Sequence, residues 1–383
     1  MRVCIYCRQP KIEADFSLEH VVPQCLGGAT APDDFKTRDV CRKCNSDLGL
    51  FVDASFEKSW FVSKQLQENA RSQFNPQNPK AIPLVCMGPC DLKVPALQAN
   101  EVCESWLGPF GEQVYWLRPL DENPYWYDGG NPRTTKSVNS RAYFMFSINS
   151  TRNTGLTWLS FERAFSGRRV KKIMCTQVSG VDPKNIGFSE PDQLDEERIE
   201  FFMNHCLAEP SRKISLAVYT KFDLRFMAKL AIGLSHCLYE KAEVCESYAN
   251  ELHKALWHRP DEELPLINAS TSFSTETDPK FTEIAGIKGA VVLLITRVPN
   301  GTAVNLNLGP RLNWVIKIAE HVNEPINRQD QAIIIFSELG KSFRMPLQDY
   351  IAIKCKALQH AELDEIISQM RSTDEYFEKL TQT

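Results

Sequence analysis

Apolar residues recur with two different periods along this chain of 383 residues. In CRKCNSDLGLFVDASFEKSWF, the residues Leu48, Phe51 or Val52, Phe56 and Trp60 fall on one face, which predicts a helix. From Gln65 to about Ile82 the chain is polar, and NPQNPK reads as a linker, placed at 63–82. Residues 83–180 change to short apolar or alternating runs divided by turn residues. PLVCM, QVYWLRPL, AYFMFSI, GLTWLSF and KKIMCTQVSG predict strands, and DENPYWYDGGNP predicts an exposed loop. Helical periods return over 190–260, in LDEERIEFFMNHCL, TKFDLRFMAKLAIGLSHCLYEKA and AEVCESYANELHKALWH. In the second, Phe222, Phe226, Leu230 and Leu234 repeat every four residues. Thr220 caps it with Asp223 answering three residues on, and Arg225 and Lys229 read as its solvent side. After a polar loop at 266–280, GAVVLLITRV, TAVNLNLG, NWVIKIAEHV and QAIIIFSEL predict strands, with PNG as a turn. A terminal helix from Ala361 places Leu363, Ile366, Met370, Phe377 and Leu380 near one face, to pack on its own domain or against a second subunit. The predicted class is α+β, with a small N-terminal module at 1–62 and an α+β region at 83–383.

Composition narrows this picture. Hydrophobic residues make up 43% of the chain, enough for a sizeable core. The net charge of −4 excludes a strongly basic protein, so any nucleic-acid contact comes from local patches. No uncharged apolar run approaches the roughly 20 residues of a membrane span, and no apolar signal segment follows Met1. The expectation is a cytoplasmic protein with reduced thiols. Its 13 cysteines then matter as ligands before they matter as disulfides.

Four of them form two identical short pairs, Cys4/Cys7 and Cys41/Cys44. Two CxxC pairs supply the thiolates of a closed tetrahedral zinc site. A redox role lacks the βαβ pattern that would support it. Between the pairs lies SLEHVVPQCLGG, in which an acid and an imidazole sit side by side. A histidine on a strand with an ion-pair neighbour is the ordinary explanation for such a pair. The two cysteine pairs and Asn45, directly after the last cysteine, favour a metal-dependent hydrolytic site instead. Cys25 has no partner spacing and reads as a buried thiol.

The first CxxC, then EHVVP and LGG, then DVCRKCN leading into a helix, resemble the HNH, or ββα-metal, endonuclease family over about the first 60 residues. The resemblance implies a hairpin carrying the acid and the histidine, followed by a helix carrying the last metal ligand. It implies His20 as general base, with Glu19 and Asn45 holding a catalytic Mg²⁺ or Mn²⁺ beside the structural Zn²⁺. The family's orienting Asn falls by spacing at Lys36, so here another group must orient the ring. A neutral imidazole takes a proton from water near neutral pH, and a hard ion accepts carboxylate and amide oxygens. Adjacent strand residues point to opposite faces, so Glu19 and His20 share a site only if a bend or bulge redirects one, or if they straddle the phosphate. Pro23 with Gly27 and Gly28 suits the end of the strand.

DNA is the expected substrate. Some proteins with such nuclease modules act in defence against phage, and the resemblance suggests that role. Arg163, Arg168, Arg169, Lys171 and Lys172 form a basic cluster able to hold a phosphate backbone, or a solvated turn; Ser211 to Lys213 extends it. Tyr125, Trp126 and Tyr127 offer stacking surfaces or a packed loop. The remaining six histidines lack ligand spacing. Two rival functions stay open at this level. One is a non-catalytic zinc finger that binds nucleic acid or protein. The other is a latent nuclease gated by a ligand or partner on residues 83–383.

Overall fold

The computed structural model of the chain describes residues 1–120, 140–177, 180, 182–208, 220–259, 262–271, 279–322 and 329–382. Tyr125, Trp126, Tyr127, the Ser211 to Lys213 segment and much of the 266–280 loop lie outside the described residues. The architecture is α+β. Strands in chain order are β1 (Arg2–Val3), β2 (Pro10–Lys11), β3 (Phe16–His20), β4 (Lys36–Cys41), β5 (Val85–Cys90), β6 (Glu101–Leu107), β7 (Gln113–Pro119), β8 (Ser140–Met145), β9 (Val170–Met174), β10 (Ala269–Thr271), β11 (Val291–Val298), β12 (Gly301–Leu308), β13 (Asn313–Glu320), β14 (Gln331–Phe336) and β15 (Lys341–Pro346). They fall into two compact units that interleave along the chain. One holds Met1–Glu57, Glu68–Gln73 and Tyr219–Asp374; the other holds Lys58–Gln67, Phe74–Val218 and Glu375–Thr383.

The first unit carries the N-terminal hairpins and an antiparallel sheet ordered β10-β13-β12-β11-β14-β15. β11 and β12 join through the predicted PNG turn, where Asn300 takes the left-handed φ of 58° that asparagine tolerates. Val292, Leu294, Ile334 and Phe336 point to one face, and the terminal helix covers them with Leu363, Ile366 and Met370. So that helix packs on its own sheet. The neighbouring residues Leu293, Ile295, Ile333 and Ile335 are buried as well, which gives the continuous apolar runs of a sheet covered on both faces. The helix Thr220–Leu238 packs against β13. There Phe226 stacks on Phe56 of the N-terminal module at 3.6 Å between ring centroids, and Trp314 of β13 meets Phe56 edge-on at 4.9 Å. Burying these rings stabilises the packing by several kcal/mol, at roughly 1.5–3 kcal/mol per large side chain.

The second unit has a five-stranded sheet ordered β5-β6-β7-β8-β9. Its period of two is visible in β7. Val114 and Trp116 join the core under the helix Thr154–Arg163, while Tyr115 and Leu117 face Phe202 of the helix Gln193–Ala208. β8 and β9 run parallel, and parallel neighbours need a crossover. GLTWLSF supplies it. The run expected as a strand is part of that Thr154–Arg163 helix, with Leu156, Thr157, Ser160 and Phe161 on its buried side.

Other expectations also need correction. The 63–82 stretch, read as a linker, carries the helix Trp60–Ser72. Its polar residues satisfy backbone groups: Gln67 Nε2 donates to the Pro83 carbonyl at 2.9 Å, and Ser63 Oγ accepts from the Cys86 N–H at 3.1 Å. Arg225 and Lys229, read as solvent-facing, are 1% and 2% exposed. The Thr220–Leu238 helix is enclosed nearly all round, so it has no solvent side there. The Asp223 carboxylate accepts from Trp314 Nε1 at 2.9 Å. β6, β15 and the helices Pro279–Ala285 and Leu347–Lys354 add to the predicted set.

Candidate active site and metal centre

The N-terminal cysteines set the frame. β1 and β2 form a short antiparallel ladder, and Arg8, at a left-handed φ of 55°, turns the chain between them. Cys41 ends β4 and caps the helix Arg42–Leu48, accepting from the Cys44 N–H at 3.5 Å. The Cys41 N–H in turn donates to Cys4 Sγ at 3.3 Å. All four sulfurs of Cys4, Cys7, Cys41 and Cys44 lie within 4.8 Å of one another, with Cys7 and Cys41 at 4.0 Å. Tetrahedral zinc at ~2.3 Å from each sulfur requires sulfurs ~3.8 Å apart. The cluster fits structural zinc. It holds together β1, β2, the end of β4 and the start of the helix, where the apolar core is small.

Inside that frame β3 pairs with β4, His20 opposite Lys36. The register slips between Ser17 and Glu19: two steps along β3 face three along β4, so β4 carries one extra residue. The irregularity falls beside the acid–histidine pair. Glu19 and His20 both line one cavity of about 340 Å³, together with Gln24, Cys25, Asn45, Gly49, Asp53, Glu57 and Lys229. The strand ends at His20. The turn after it closes on Gly27, at φ 86°, and on Gly28, where a Cβ would sit 1.8 Å from the Val22 carbonyl oxygen. Any larger residue at 28 forces the turn open.

Asn45 is placed by the first helix. Its Nδ2 donates to the Leu18 carbonyl at 2.8 Å and to Ser17 Oγ at 3.1 Å, which leaves the amide oxygen as its atom for a cation. His20 is partly buried, and its ring pKa is lowered by burial first and by the Lys36 charge second. It is therefore neutral at neutral pH. Lys36 itself binds Asp33 at 2.6 Å. The polar side chain found beside the ring is Gln24, whose amide lies 3.4 Å from His20 Nδ1. Gln24 sits in the turn after Pro23, four residues beyond the histidine.

Besides Gln24, three charged cavity residues were not singled out from the sequence as site residues. Asp53 and Glu57 follow Asn45 by eight and twelve residues. Asp53 ends a stretch of wider π-helical turns, Gly49–Asp53, and π turns often mark sites. The third is Lys229, from the Thr220–Leu238 helix. Its Nζ lies 2.5 Å from Asp53 Oδ2 and 3.0 Å from Glu19 Oε1. Tyr6 donates its hydroxyl to the same Glu19 oxygen at 3.4 Å. Burial raises the pKa of both carboxylates, and the Lys229 charge opposes that rise. Burial alone would pull the lysine down, but Asp53 and Glu19 more than reverse it, so its pKa is raised. Gly233, one turn after Lys229, lets the helix approach this closely, since a Cβ there would meet Val21 Cγ1 at 2.7 Å.

The basic cluster of the second unit is largely consumed within its own fold. Lys171 binds Asp192 and Asp195 at 3.0 and 2.5 Å. Lys172 donates to the Phe161 and Glu162 carbonyls, Arg163 to the Ala81 carbonyl, and Arg168 lies over the Trp116 ring. None of these residues, nor Arg169, lines the cavity. Among the described residues no helix is long and apolar enough to cross a membrane.

A family model described as HNH endonuclease matches residues 4–61. No curated protein and no solved structure matches the chain. The matched segment contains both cysteine pairs, the β3–β4 hairpin and the helix that bears Asn45. Residues 4–61 of this chain form an HNH endonuclease module held by a four-cysteine site that fits zinc.

Proposed function

We propose that the chain is a metal-dependent endonuclease that hydrolyses phosphodiester bonds in DNA, with His20 as general base. One observation carries this reading: a neutral imidazole, a buried carboxylate and an amide oxygen line the same cavity, inside a module of an endonuclease family. Gln24 orients the ring. With its amide oxygen accepting from Nδ1–H, Nε2 keeps the lone pair that takes a proton from water. The water so activated attacks phosphorus in line with the leaving oxygen. Glu19 and Asn45 provide oxygens for Mg²⁺ or Mn²⁺, which when bound stabilises charge developing on the phosphate and the leaving oxygen. The cysteine site holds structural zinc and takes no part in the reaction.

The test is cleavage of supercoiled, linear, single-stranded and modified DNA by wild type and by His20→Ala, with Mg²⁺ or Mn²⁺. Wild type is expected to cut at least one of these substrates only when the ion is present, and His20→Ala to lose about 10²–10⁴ in rate. Equal behaviour of the two proteins would leave a zinc-bound binding module and refute the nuclease.

A further inference from the structure

Asp53 and Lys229 contribute to the cavity but have no role in the reaction as derived so far. They come from different parts of the chain, 176 residues apart. Asp53 uses Oδ2 to meet the ammonium, while its other oxygen, Oδ1, is buried and has no hydrogen-bond partner. Glu19 meets the same ammonium from β3. Two carboxylates thus share one monovalent cation, and one of their oxygens is left without a donor. Such an oxygen costs free energy unless something else satisfies it. A structural ion pair would saturate those oxygens and close the space around them. Here the residues that carry them line a cavity of about 340 Å³.

Resting on the metal-dependent reading above, we infer that Asp53 is a further oxygen ligand of the divalent ion, and that Lys229 is a built-in cation which the ion displaces from Glu19 and Asp53. The chemistry favours the exchange. A divalent ion brings twice the charge of the ammonium and prefers carboxylate oxygens, and it supplies Asp53 Oδ1 with the partner it lacks. The lysine holds the carboxylates together until then, since two buried carboxylates with no cation between them repel. Once displaced, its ammonium remains at a cavity that receives a phosphate, an anion it can approach. Lys229 lies outside residues 4–61, so on this inference the nuclease site is completed by the C-terminal half of the chain.

The experiment is a Mn²⁺ titration of the full zinc-loaded chain, with free Mn²⁺ read by electron paramagnetic resonance and each variant's melting temperature measured in parallel. Asp53→Asn is expected to weaken Mn²⁺ binding about tenfold or more. Lys229→Gln is expected to tighten it about tenfold, because a competing positive charge is gone. Should Lys229→Gln fail to fold, the double variant Asp53→Asn/Lys229→Gln, which keeps the summed charge of the cluster, carries the comparison and is expected to bind Mn²⁺ about tenfold more tightly than Asp53→Asn alone. If Glu19→Gln weakens Mn²⁺ binding while Asp53→Asn and Lys229→Gln both leave it unchanged, this inference falls and the metal-dependent reading stands. Weaker binding by a folded Lys229→Gln overturns the competition. If Glu19→Gln has no effect either, the metal-dependent reading itself is lost.

Discussion

Two buried charge clusters, one in each compact unit, differ in how completely their charges are answered. In the five-stranded sheet, Glu104 is fully buried and meets two cations, Arg118 at 2.9 Å and Lys58 at 3.6 Å, while Trp106 Nε1 donates to it at 2.8 Å. Lys58 also lies over the Trp106 and Trp116 rings. In the cavity of the N-terminal module two carboxylates, Glu19 and Asp53, meet one ammonium, and an oxygen is left over. A saturated cluster braces β6 against β7. An unsaturated one beside a cavity retains capacity for a ligand, and that separates a site from a strut.

The largest effect expected is loss of the frame around the cavity. Chelating zinc, or Cys41→Ser, should remove about 10 kcal/mol or more of coupled folding free energy and abolish cleavage. Retained cleavage in metal-free protein would break the zinc assignment. Next comes the comparison itself. Glu104→Gln removes the buried carboxylate that meets both Arg118 and Lys58 and should cost about 3–5 kcal/mol in urea unfolding. Glu19→Gln leaves Lys229 paired with Asp53 and should cost about 1 kcal/mol, while cleavage falls at least about a hundredfold. Equal destabilisation by the two substitutions would erase the distinction between strut and site.

A buried carboxyl elsewhere in the first unit sharpens the contrast through pH. Burial pushes Asp223 up to about 6 from an ordinary value of 3.8, against the lowering effect of its bond from Trp314. Between those values the folded chain keeps the proton and the unfolded chain has lost it. Stability therefore falls as pH rises from about 4 to 6 and is level above that. Asp223→Asn removes the fall and keeps an oxygen for Trp314, so at pH 7 it should stabilise by roughly 2–3 kcal/mol. Melting curves of the two proteins that stay parallel from pH 4 to 7 would contradict this. The smallest effect belongs to Gln24→Ala. It should slow cleavage about tenfold, an outer-sphere orienting loss, with the melting point unmoved. Unchanged turnover would mean that another group orients His20.

The cysteine pairs, the acid–histidine pair and Asn45 could be read from the sequence because their chemistry is local and their spacing is short. Most strands were legible because apolar residues alternate or run together. What escaped detection lay one position away from what was seen. The apolar stripe Leu48, Val52 and Phe56 points into the core. The adjacent stripe Asn45, Gly49, Asp53 and Glu57, at the same spacing of four, lines the cavity. On the Thr220–Leu238 helix, Phe222, Phe226, Leu230 and Leu234 stood out, while Arg225, Lys229 and Gly233 are just as enclosed. A cation in a helical pattern signals solvent unless the chain supplies a buried partner, and the partners of Lys229 are 176 and 210 residues upstream in sequence. β6 was missed for a related reason, since its Glu104 finds its counter-charges only after folding.

The separation of Asp53 from Lys229 also sets an order in time. Translation at about 5–20 residues per second takes roughly 9–35 s to cover the 176 residues between them. Over that interval the ribosome has released the hairpin and both carboxylates but not the lysine. On the displacement proposed above, divalent ions in the surrounding solution would have first access to Glu19 and Asp53, and the ammonium would arrive later as a competitor. A newly made chain and a mature one would then differ in which cation holds the site, although their sequences are identical.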